Sequence, residues 1–433
     1  MLGKTKFSSL VNWYFRTRSL ERPEFILLVF CLFVDSSRRF LTWRSPDQNS
    51  GTDRPGSAPS TGKHSIRRLG ILALGAVALV SGCGPKMDLA PVPPFTYAFV
   101  ANRDSHTLSV IDLKSFKNIK TIPVGRSPTK VVASPKGNLL LVANTGSNSV
   151  SAIDSVTQKV LRTITTGKSP VDLGFSSDGR LGYVACYGSN SIVVIDCKTL
   201  GVTKTIHSQR GPAILRVSSQ GQRLWVTHHL DNSLGIVDLV AQSVTDSVPL
   251  LRGPLDFLLL PDESRIFVGN SLEDKVTVID TKTHKRLGQL LTGKTPIQMV
   301  LKPDGGEIYV SNFDAGTVSV INTSTNELNG SFSVGKNPIR GVISRNAQRL
   351  YIANFGSNSI SVLEPPTRQV LASIPVGAHP DSICLTPDDR YLLVANSDSN
   401  DVSVIRTDMI HPQYNALFTV IPTGAKPSAV VIN

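Results

Sequence analysis

The sequence predicts an all-β fold, an eight-bladed β-propeller with four antiparallel strands per blade, and two repeats with one period carry this prediction. The strings FVAN, LVAN, YVAC, WVTH, FVGN, YVSN, YIAN and LVAN end 42 residues apart, at Asn102, Asn144, Cys186, His228, Asn270, Asn312, Asn354 and Asn396. A proline recurs at the same spacing from Pro128 to Pro380, and the last step, to Pro427, is five residues longer. A fixed period of this length is typical of solenoids and propellers.

One repeat unit contains four apolar runs. In residues 128–169 these runs are TKVVAS, LLLVAN, SVSAID and VLRTIT, and the segments PKG, TGSN and SVTQ divide them. Pro, Gly, Asn and Asp supply the backbone angles that tight turns need. Consecutive apolar residues indicate strands that are covered on both faces by neighbouring sheets. Four strands in about 40 residues are the pattern of a propeller blade.

The two ends of the repeat region predict how the ring closes. The region begins in mid-blade with FTYAFVAN, TLSVIDL and IKTIPVG, and it ends with SAVVIN at residues 428–433. Pairing this C-terminal strand with the N-terminal blade completes an eighth blade and hides edges that would otherwise aggregate. The propeller domain is therefore expected over residues 95–433. The alternative, an open solenoid of the same units, would leave two bare sheet edges.

The motifs YVSNFDAGTVSVIN, VGKNP and LVANSDSNDVSVI resemble the YVTN-family β-propeller repeat of bacterial and archaeal surface proteins. The resemblance covers residues 95–433. It implies binding at the cell surface. Many members of that family have seven blades, so a count of eight departs from it and is similar to the haem-d1-binding propellers.

An export signal precedes the repeats. The segment SIRRLGILALGAVALVSGC has basic residues at Arg67 and Arg68, an apolar run over residues 69–80, and a cysteine at Cys83. The run is too short to span a bilayer and is typical of a secretory signal. Its end, VSGC, resembles the bacterial lipobox, which implies lipidation of Cys83. Residues 63–83 are thus predicted to be a lipoprotein signal peptide that is removed up to Cys83, and the acylated Cys83 would anchor the protein in a membrane of the cell envelope, on the periplasmic or extracellular face. An uncleaved anchor helix is the alternative.

Two further segments flank this signal. Residues 1–62 are predicted to be a non-native or disordered extension, because signal peptides stand at the N-terminus and residues 45–62 are rich in Ser, Pro and Gly. Residues 84–94 are expected to form a tether. The translation start would then lie downstream of Met1.

The net charge of +13 is unevenly distributed along the chain. Residues 1–82 contain 12 Lys and Arg and 5 Asp and Glu, which leaves 33 and 27 for the rest. The predicted mature domain is only mildly basic, and with export this argues against nucleic-acid binding. The five cysteines show neither CxxC nor CxxCH spacing, so we expect no disulfide framework and no cofactor.

A ring of cations is predicted at one mouth of the propeller channel. The first strand of each blade should line the channel, and the loop before it should share a face with the loop between strands two and three. Two residues before the proline stand Arg126, Lys168, Arg210, Arg252, Lys294 and Lys336, and the other two loops carry His379 and Lys426 one place later. Such a ring would attract anions. The alternative is that these are ordinary solvated turn residues.

Two further sets of candidate residues follow from the register. Two residues after the proline a mixed set could form a ligand pocket or line a water-filled channel: Lys130, Asp172, Ile214, Asp256, Gln298, Arg340, Ser382 and Ala429. Cys186 and His228, with His229, could form a zinc or copper site, or the histidine could replace the hydrogen bonding of Asn. The recurrent Asn residues, and the aspartates that end the third strands, are expected to be structural.

These observations favour a ligand-binding or protein-interaction scaffold over an enzyme. The expected partners are an anionic small molecule, glycan or protein at the basic mouth and a membrane through Cys83, and the protein is expected to be a monomer. A hydrolase or lyase of the lactonase type, or a cofactor-binding redox propeller, remains the alternative. The channel strands offer Asp172 and Asp256 but no His, which disfavours a metal-dependent hydrolase.

Processing of the N-terminus gives a direct test of the predicted signal. In a bacterial host with a lipoprotein pathway, mass spectrometry should find a mature chain that begins at an acylated Cys83, and C83S should abolish the acylation. Retention of residues 1–82 in the mature protein would contradict both the signal and the anchor.

Overall fold

In the computed structural model, residues 97–407 and 415–433 are described, and they form eight four-stranded sheets. The predicted extension (1–62), signal peptide with Cys83 (63–83) and tether (84–94) lie outside the described residues. The repeat predicted from the sequence is regular in the structure, since the second strand of each blade ends at the recurrent Asn, Cys or His and the first begins at the recurrent proline.

Each blade has a channel strand, two middle strands and an outer strand, and blades are numbered here in chain order. Blade 1 comprises β1 (Tyr97–Asn102), β2 (Thr107–Asp112), β3 (Lys117–Pro123) and β32 (Pro427–Ile432). Blade 2 comprises β4 (Pro128–Ala133), β5 (Leu139–Asn144), β6 (Ser149–Asp154) and β7 (Lys159–Thr165). Blade 3 comprises β8 (Pro170–Phe175), β9 (Leu181–Cys186), β10 (Ser191–Asp196) and β11 (Gly201–His207). Blade 4 comprises β12 (Pro212–Val217), β13 (Arg223–His228), β14 (Ser233–Asp238) and β15 (Ser243–Pro249).

The second half of the ring repeats this order. Blade 5 comprises β16 (Pro254–Leu259), β17 (Arg265–Asn270), β18 (Lys275–Asp280) and β19 (Arg286–Leu291). Blade 6 comprises β20 (Pro296–Leu301), β21 (Glu307–Asn312), β22 (Thr317–Asn322) and β23 (Glu327–Ser333). Blade 7 comprises β24 (Pro338–Ile343), β25 (Leu350–Asn354), β26 (Ser359–Glu364) and β27 (Gln369–Pro375). Blade 8 comprises β28 (Pro380–Leu385), β29 (Tyr391–Asn396), β30 (Asp401–Arg406) and β31 (Ala416–Pro422). Short 3-10 turns occur at Thr145–Ser147, Tyr187–Ser189 and Phe355–Ser357.

The C-terminal strand closes the ring, as predicted. β32 pairs antiparallel with β1, with Ala98 opposite Ile432 and Val100 opposite Val430, so the first sheet has the order β3-β2-β1-β32. The channel strands follow one another around the ring, and β32 contacts both β28 and β4. The eight-bladed fold is confirmed, and the open solenoid is excluded.

The core lies between neighbouring sheets. Val110 of blade 1 and Leu140 of blade 2 are fully buried in one shared cluster, and Trp225 of blade 4 packs with Phe257 of blade 5. The middle strands are covered on both faces, which explains their unbroken apolar runs. The outer strands are largely exposed and carry polar and charged residues.

The aspartates at the ends of the third strands are structural, as predicted. Asp154 Oδ1 accepts hydrogen bonds from the backbone N–H groups of Val156 (3.0 Å) and Thr157 (2.6 Å), and Gln158 then takes a left-handed conformation with φ 55°. The Thr157 N–H bond holds the pKa of Asp154 below its usual value. The same contacts recur at Asp196, Asp238 and Asp280.

In the part of the chain that the structure describes, no helix combines the length and apolar character that a membrane crossing requires.

Deleting residues 427–433 should cost far more stability than an ordinary terminal truncation. The deletion removes all of β32, opens the edge of β1 and uncovers the first blade interface. We expect a loss of at least about 3–5 kcal/mol, the range for truncating one large core side chain. Thermal unfolding followed by circular dichroism would measure it, and an unchanged melting temperature would refute this role of β32.

Candidate functional site

Two sets of loops form one face around the channel mouth, here called the inlet face. The inlet loop leads from an outer strand into the next channel strand, and the hairpin loop joins the two middle strands. In blade 2 the N–H groups of Thr145 and Gly146 donate to the carbonyls of Ser127 and Arg126, each over 3.0 Å. The shared face predicted for these two loops is therefore confirmed.

In six of the eight blades an Asn or Asp of the hairpin loop also holds the inlet loop of the next blade. The Ser169 N–H of blade 3 donates to Asn148 Oδ1 of blade 2 over 2.9 Å, and Asn148 has a left-handed backbone with φ 55°. Asn and Asp tolerate this conformation better than other non-glycine residues. The bond recurs from Gly211 to Asn190, Gly253 to Asn232, Thr295 to Asp274, His379 to Asn358 and Lys426 to Asn400. These bonds fix where each inlet cation lies.

The six predicted cations are all exposed, but they fall into two classes. Arg210 Nε lies 2.7 Å from Asp231 Oδ1, and Arg252 pairs with Glu273, each acid coming from the adjacent hairpin loop. Within residues 97–407 and 415–433, the other four have no acidic partner within 4 Å: Arg126, Lys168, Lys294 and Lys336. Of the six cations, only these four have no contacting carboxylate in the described residues to offset their positive charge.

The unpaired cations occupy opposite sides of the mouth. Arg126 and Lys168 belong to blades 2 and 3, and Lys294 and Lys336 belong to blades 6 and 7, half a turn away in an eight-bladed ring. Ion-paired groups separate them, with Arg210 and Arg252 in blades 4 and 5. On the other side, Asp398 of blade 8 contacts both His379 and Lys426. The inlet face thus has two positive sectors rather than a uniform ring.

The net charge of the inlet face is small. The described inlet and hairpin loops contain eight Lys or Arg and six Asp or Glu, an excess of two. The hairpin loops of blades 2, 3 and 7, the blades of Arg126, Lys168 and Lys336, contain no acid, since they read TGSN, YGSN and FGSN, whereas that of blade 6 contains Asp314, which accepts the Thr295 hydroxyl. The positive potential is therefore strongest in the sector of blades 2 and 3.

In the channel, four of the predicted polar residues bind backbone of the next blade. Asp172 Oδ2 accepts the Leu215 N–H over 3.0 Å, and Asp256 Oδ2 accepts the Met299 N–H over 3.1 Å. Gln298 and Ser382 make the equivalent bonds to Gly341 (2.8 Å) and Val430 (3.2 Å). These side chains satisfy the open edge of the neighbouring channel strand, which is a structural role whatever else they bind.

A chain of charges crosses the channel wall from blade 2 to blade 5. Lys130 Nζ lies 3.3 Å from Asp172 Oδ1, and Arg216 contacts Asp172 (3.5 Å) and Asp256 (3.3 Å). The cations keep 37% and 39% of their side-chain surface exposed, against 1% and 11% for the carboxylates. The lumen therefore meets the cations, while the carboxylates lie behind them. The sequence analysis missed Arg216, although it is the one charged residue four places after a repeat proline.

Blades 7 and 8 contribute a second charged region that the sequence analysis also missed. Burial raises the pKa of the Asp381 carboxyl to about 6, and the guanidinium groups of Arg340 and Arg103 oppose that rise. Burial likewise raises the pKa of Asp256, against Arg216 and the Met299 N–H. Arg340, the predicted member of this region, opposes the pKa rise of both Asp381 and Asp256 through its charge, whereas Asp381 and Arg103 were not predicted.

The candidate metal residues are buried in neutral forms. Burial raises the pKa of Cys186 to about 11 and lowers that of His228 to about 4, and it also lowers the pKa of His229. His229 Nδ1 lies 3.3 Å from the Pro254 carbonyl. Among the residues that the structure describes, no three His, Cys, Asp or Glu side chains are placed to hold a metal ion. Cys186, Cys197 and Cys384 are free thiols.

The recurrent Asn has a structural partner that explains these exceptions. Asn144 Nδ2 donates to Ser151 Oγ over 2.9 Å, and a Ser or Thr seven residues after the Asn serves the same role in five other blades. In the blades of Cys186 and His228 the seventh residue is Val193 or Gly235. A side chain on Gly235 would collide with the His228 ring. The two positions therefore change together, and the bond links the middle strands rather than the turn backbone.

Comparisons with known proteins agree on the fold. A model of the YNCE-like β-propeller family matches residues 73–244. No curated protein sequence matches the chain.

Solved structures extend the likeness across the ring. Dihydro-haem d1 dehydrogenase NirN in complex with DHE superposes with a TM-score of 0.68 at 17% identity, over 80% of this chain and 77% of that one. Hydrazine synthase of Kuenenia stuttgartiensis gives a TM-score of 0.55 at 22% identity, over 65% and 96%. A functionally unknown protein from Desulfotomaculum acetoxidans gives 0.56 at 15% identity, over 68% and 99%. At these identities the likeness shows the propeller fold alone.

Exchanging the exceptional pair in blade 4 for the common pair tests the coupled positions. G235S alone should destabilise the protein by about 1–3 kcal/mol, because the added atoms overpack against His228. H228N with G235S should recover at least about 1 kcal/mol of that loss. Urea unfolding of wild type, both single variants and the double variant measures the coupling, and strictly additive effects would refute it.

Proposed function

We propose that this chain is an exported, lipid-anchored binding protein of the cell envelope that holds an anionic ligand at its inlet face. The carrying observation is the set of four exposed, unpaired cations: Arg126, Lys168, Lys294 and Lys336. The repeat motifs and the signal segment that ends at Cys83 support a place at the cell surface. We propose a non-enzymatic role.

Whether an inlet cation is ion-paired or unpaired determines how strongly it can bind an incoming anion. An incoming carboxylate or phosphate must compete with Asp231 for Arg210 and with Glu273 for Arg252. No such competition exists in the described loops around Arg126 or Lys168. Exposed pairs contribute only about 0–1 kcal/mol each, so a useful affinity requires several contacts at once. Two sectors of two cations supply them.

Two features of the channel favour binding over catalysis. None of the eight channel strands contains a histidine, the commonest general base. Two of the channel aspartates, Asp172 and Asp256, already accept backbone N–H groups and lie against Lys130 or Arg216. These contacts use the carboxylate oxygens that acid–base chemistry would need.

The separation of the sectors favours an extended ligand. Because the positive pairs lie half a turn apart, a small anion contacts one pair, whereas a flexible acidic chain can contact both. Simultaneous contacts raise the apparent affinity through effective concentration. We therefore propose an acidic peptide segment as the preferred ligand class.

Paired variants with equal charge loss provide the test. Binding of a fluorescent deca-glutamate peptide, measured by anisotropy at low salt, should weaken at least tenfold in R126A/K168A/K294A/K336A. K294A/K336A should weaken binding more than R210A/R252A, although each removes two positive charges. Added salt should weaken wild-type binding, because exposed charges are screened.

Equal losses of affinity in K294A/K336A and R210A/R252A would mean that the peptide responds only to the net charge of the protein. That result would contradict the assignment of the binding site to the unpaired cations. Citrate serves as a small-anion control, since its affinity should change little when only one sector is removed. Melting temperatures of all variants should stay near the wild-type value, because these side chains are exposed.

A further inference from the structure

The outer strands of blades 1, 2 and 3 are unusually basic. They carry five exposed Lys or Arg residues and no acid: Lys117, Lys120, Lys159, Arg162 and Lys204. The outer strand of blade 4 contains Asp246 instead, and that of blade 6 contains Glu327. A basic region therefore runs along three consecutive blades and stops there.

This positive charge is not neutralised within the described part of the chain. None of the five cations has an acidic partner within 4 Å, and Lys120 Nζ and Arg162 Nη1 donate to the carbonyls of Gln158 and Thr199. Asp112 and Asp154 stand opposite Lys117 and Lys159 in the strand register. Those carboxylates are occupied by turn N–H groups, so Lys120, Arg162 and Lys204 dominate the potential further along the strands.

Large apolar side chains are exposed on the same edge. Phe418 of β31, Ile119 of β3 and Leu161 of β7 occupy one register position, nine residues before the repeat proline, and are 50%, 48% and 52% exposed. The outer strands of blades 8, 1, 2 and 3 add other exposed apolar residues: Leu417, Val420, Val160 and Val202. Phe418 is held by ring contacts to Phe116 at 5.2 Å and Tyr391 at 5.7 Å. Apolar side chains are also exposed on the outer strands of blades 5, 6 and 7, at Leu291, Leu328 and Val370, so it is the combination with the cations that distinguishes this edge.

We propose that the outer strands of blades 8, 1, 2 and 3 form a docking edge for an anionic lipid bilayer. Aromatic and aliphatic side chains that enter the headgroup region, flanked by Lys and Arg, are the combination that holds proteins in a bilayer interface. A β-bulge at Ile119 in β3 and at Leu161 in β7 interrupts the alternation that would otherwise place each of them on the face opposite to Lys120 or Arg162. The occupant is a lipid surface because the edge offers apolar groups for acyl chains and cations for headgroups.

The position at which the N-terminal segment joins the propeller is consistent with a docking edge on blades 8, 1, 2 and 3. The chain enters the propeller at β1, a middle strand of blade 1, 14 residues after Cys83, and blade 1 is one of the four blades whose outer strands form the docking edge. An extended chain covers at most about 3.6 Å per residue, so the tether could reach at most about 50 Å. This step alone rests on the proposed lipid anchor. With the edge on the bilayer, the channel axis lies roughly parallel to the membrane and the inlet face remains accessible.

Blade 5 offers a matched control position. Leu287 of β19 has the same register as Ile119 and a similar exposure of 51%, and basic residues precede it at Lys282, Lys285 and Arg286. Its neighbouring outer strands carry Asp246 and Glu327, so it lacks the continuous basic edge.

Tryptophan reporters in the full chain test the docking edge. I119W and L287W, each with C83S to remove lipidation, are mixed with vesicles of phosphatidylglycerol and brominated phosphatidylcholine. Bromine should quench the added fluorescence at residue 119 at least twofold more than at residue 287. The native Trp13, Trp43 and Trp225 are common to both variants, so their signal cancels. Equal quenching would overturn the proposal.

Charge variants provide a second readout. K120Q/R162Q/K204Q should weaken vesicle binding of the C83S chain at least tenfold, whereas K282Q/K285Q/R286Q should change it less than twofold. Neither variant should alter deca-glutamate binding, which reports on the inlet face. Equal losses, or no wild-type binding to anionic vesicles, would overturn the docking edge and leave the inlet-face proposal standing. Unchanged peptide binding in the inlet-face variants, with vesicle binding lost only in K120Q/R162Q/K204Q, would do the reverse.

Discussion

The structure depends on one recurrent hydrogen bond, which in seven of the eight blades runs from the backbone N–H before the repeat proline to a side chain in the preceding blade. Apolar packing between sheets is non-directional and does not fix the angle between blades. The bond from Ser169 N–H to Asn148 Oδ1, and its counterparts around the ring, supplies that direction. The ring also shows compensation. Blade 6 has Gly316 where the other blades have Asn, Asp or His, and there Asn337 of blade 7 donates back to the Phe313 carbonyl over 3.2 Å.

The same bonds explain how a repeat can carry a specific surface. These bonds use backbone N–H groups, so the side chain of the adjoining inlet residue takes no part in holding the loop. Arg126 and Arg210 can therefore differ in their ion-pair partners without any change in the loop. In the channel, by contrast, the same side chains carry both the structural bonds and the charge pairing. Asp172 and Asp256 hold the next blade and also neutralise Lys130 and Arg216, so they cannot be exchanged independently. The inlet face can therefore vary in charge, whereas the channel wall is constrained.

The sequence was sufficient for the fold because the period, the strand pattern and the closing strand are all visible in one dimension. It also contained a signal for the two cation classes that went unused. The residue 21 places after the inlet cation is Asp231 or Glu273 where the arginine is paired. It is serine after Arg126, Lys168 and Lys336, where Ser147 and its counterparts bind the backbone N–H instead. The raised pKa of Asp381 had no such signal, since it arises from burial among residues distant in sequence.

The structure shows where the small excess of positive charge in the predicted mature domain lies. An excess spread evenly over eight blades would give weak attraction everywhere, but here the unpaired cations gather on parts of the inlet face and on the edge of blades 1 to 3. With the docking edge on a bilayer, the channel axis is roughly parallel to the membrane and the inlet face stands perpendicular to the lipid surface. The sector of Arg126 and Lys168, in blades 2 and 3, then lies on the bilayer side, and the sector of Lys294 and Lys336 lies on the far side. A repeat protein thus obtains two separate binding surfaces through substitutions in only a few inlet loops and outer strands, while every blade keeps the four-stranded pairing on which the closed ring depends.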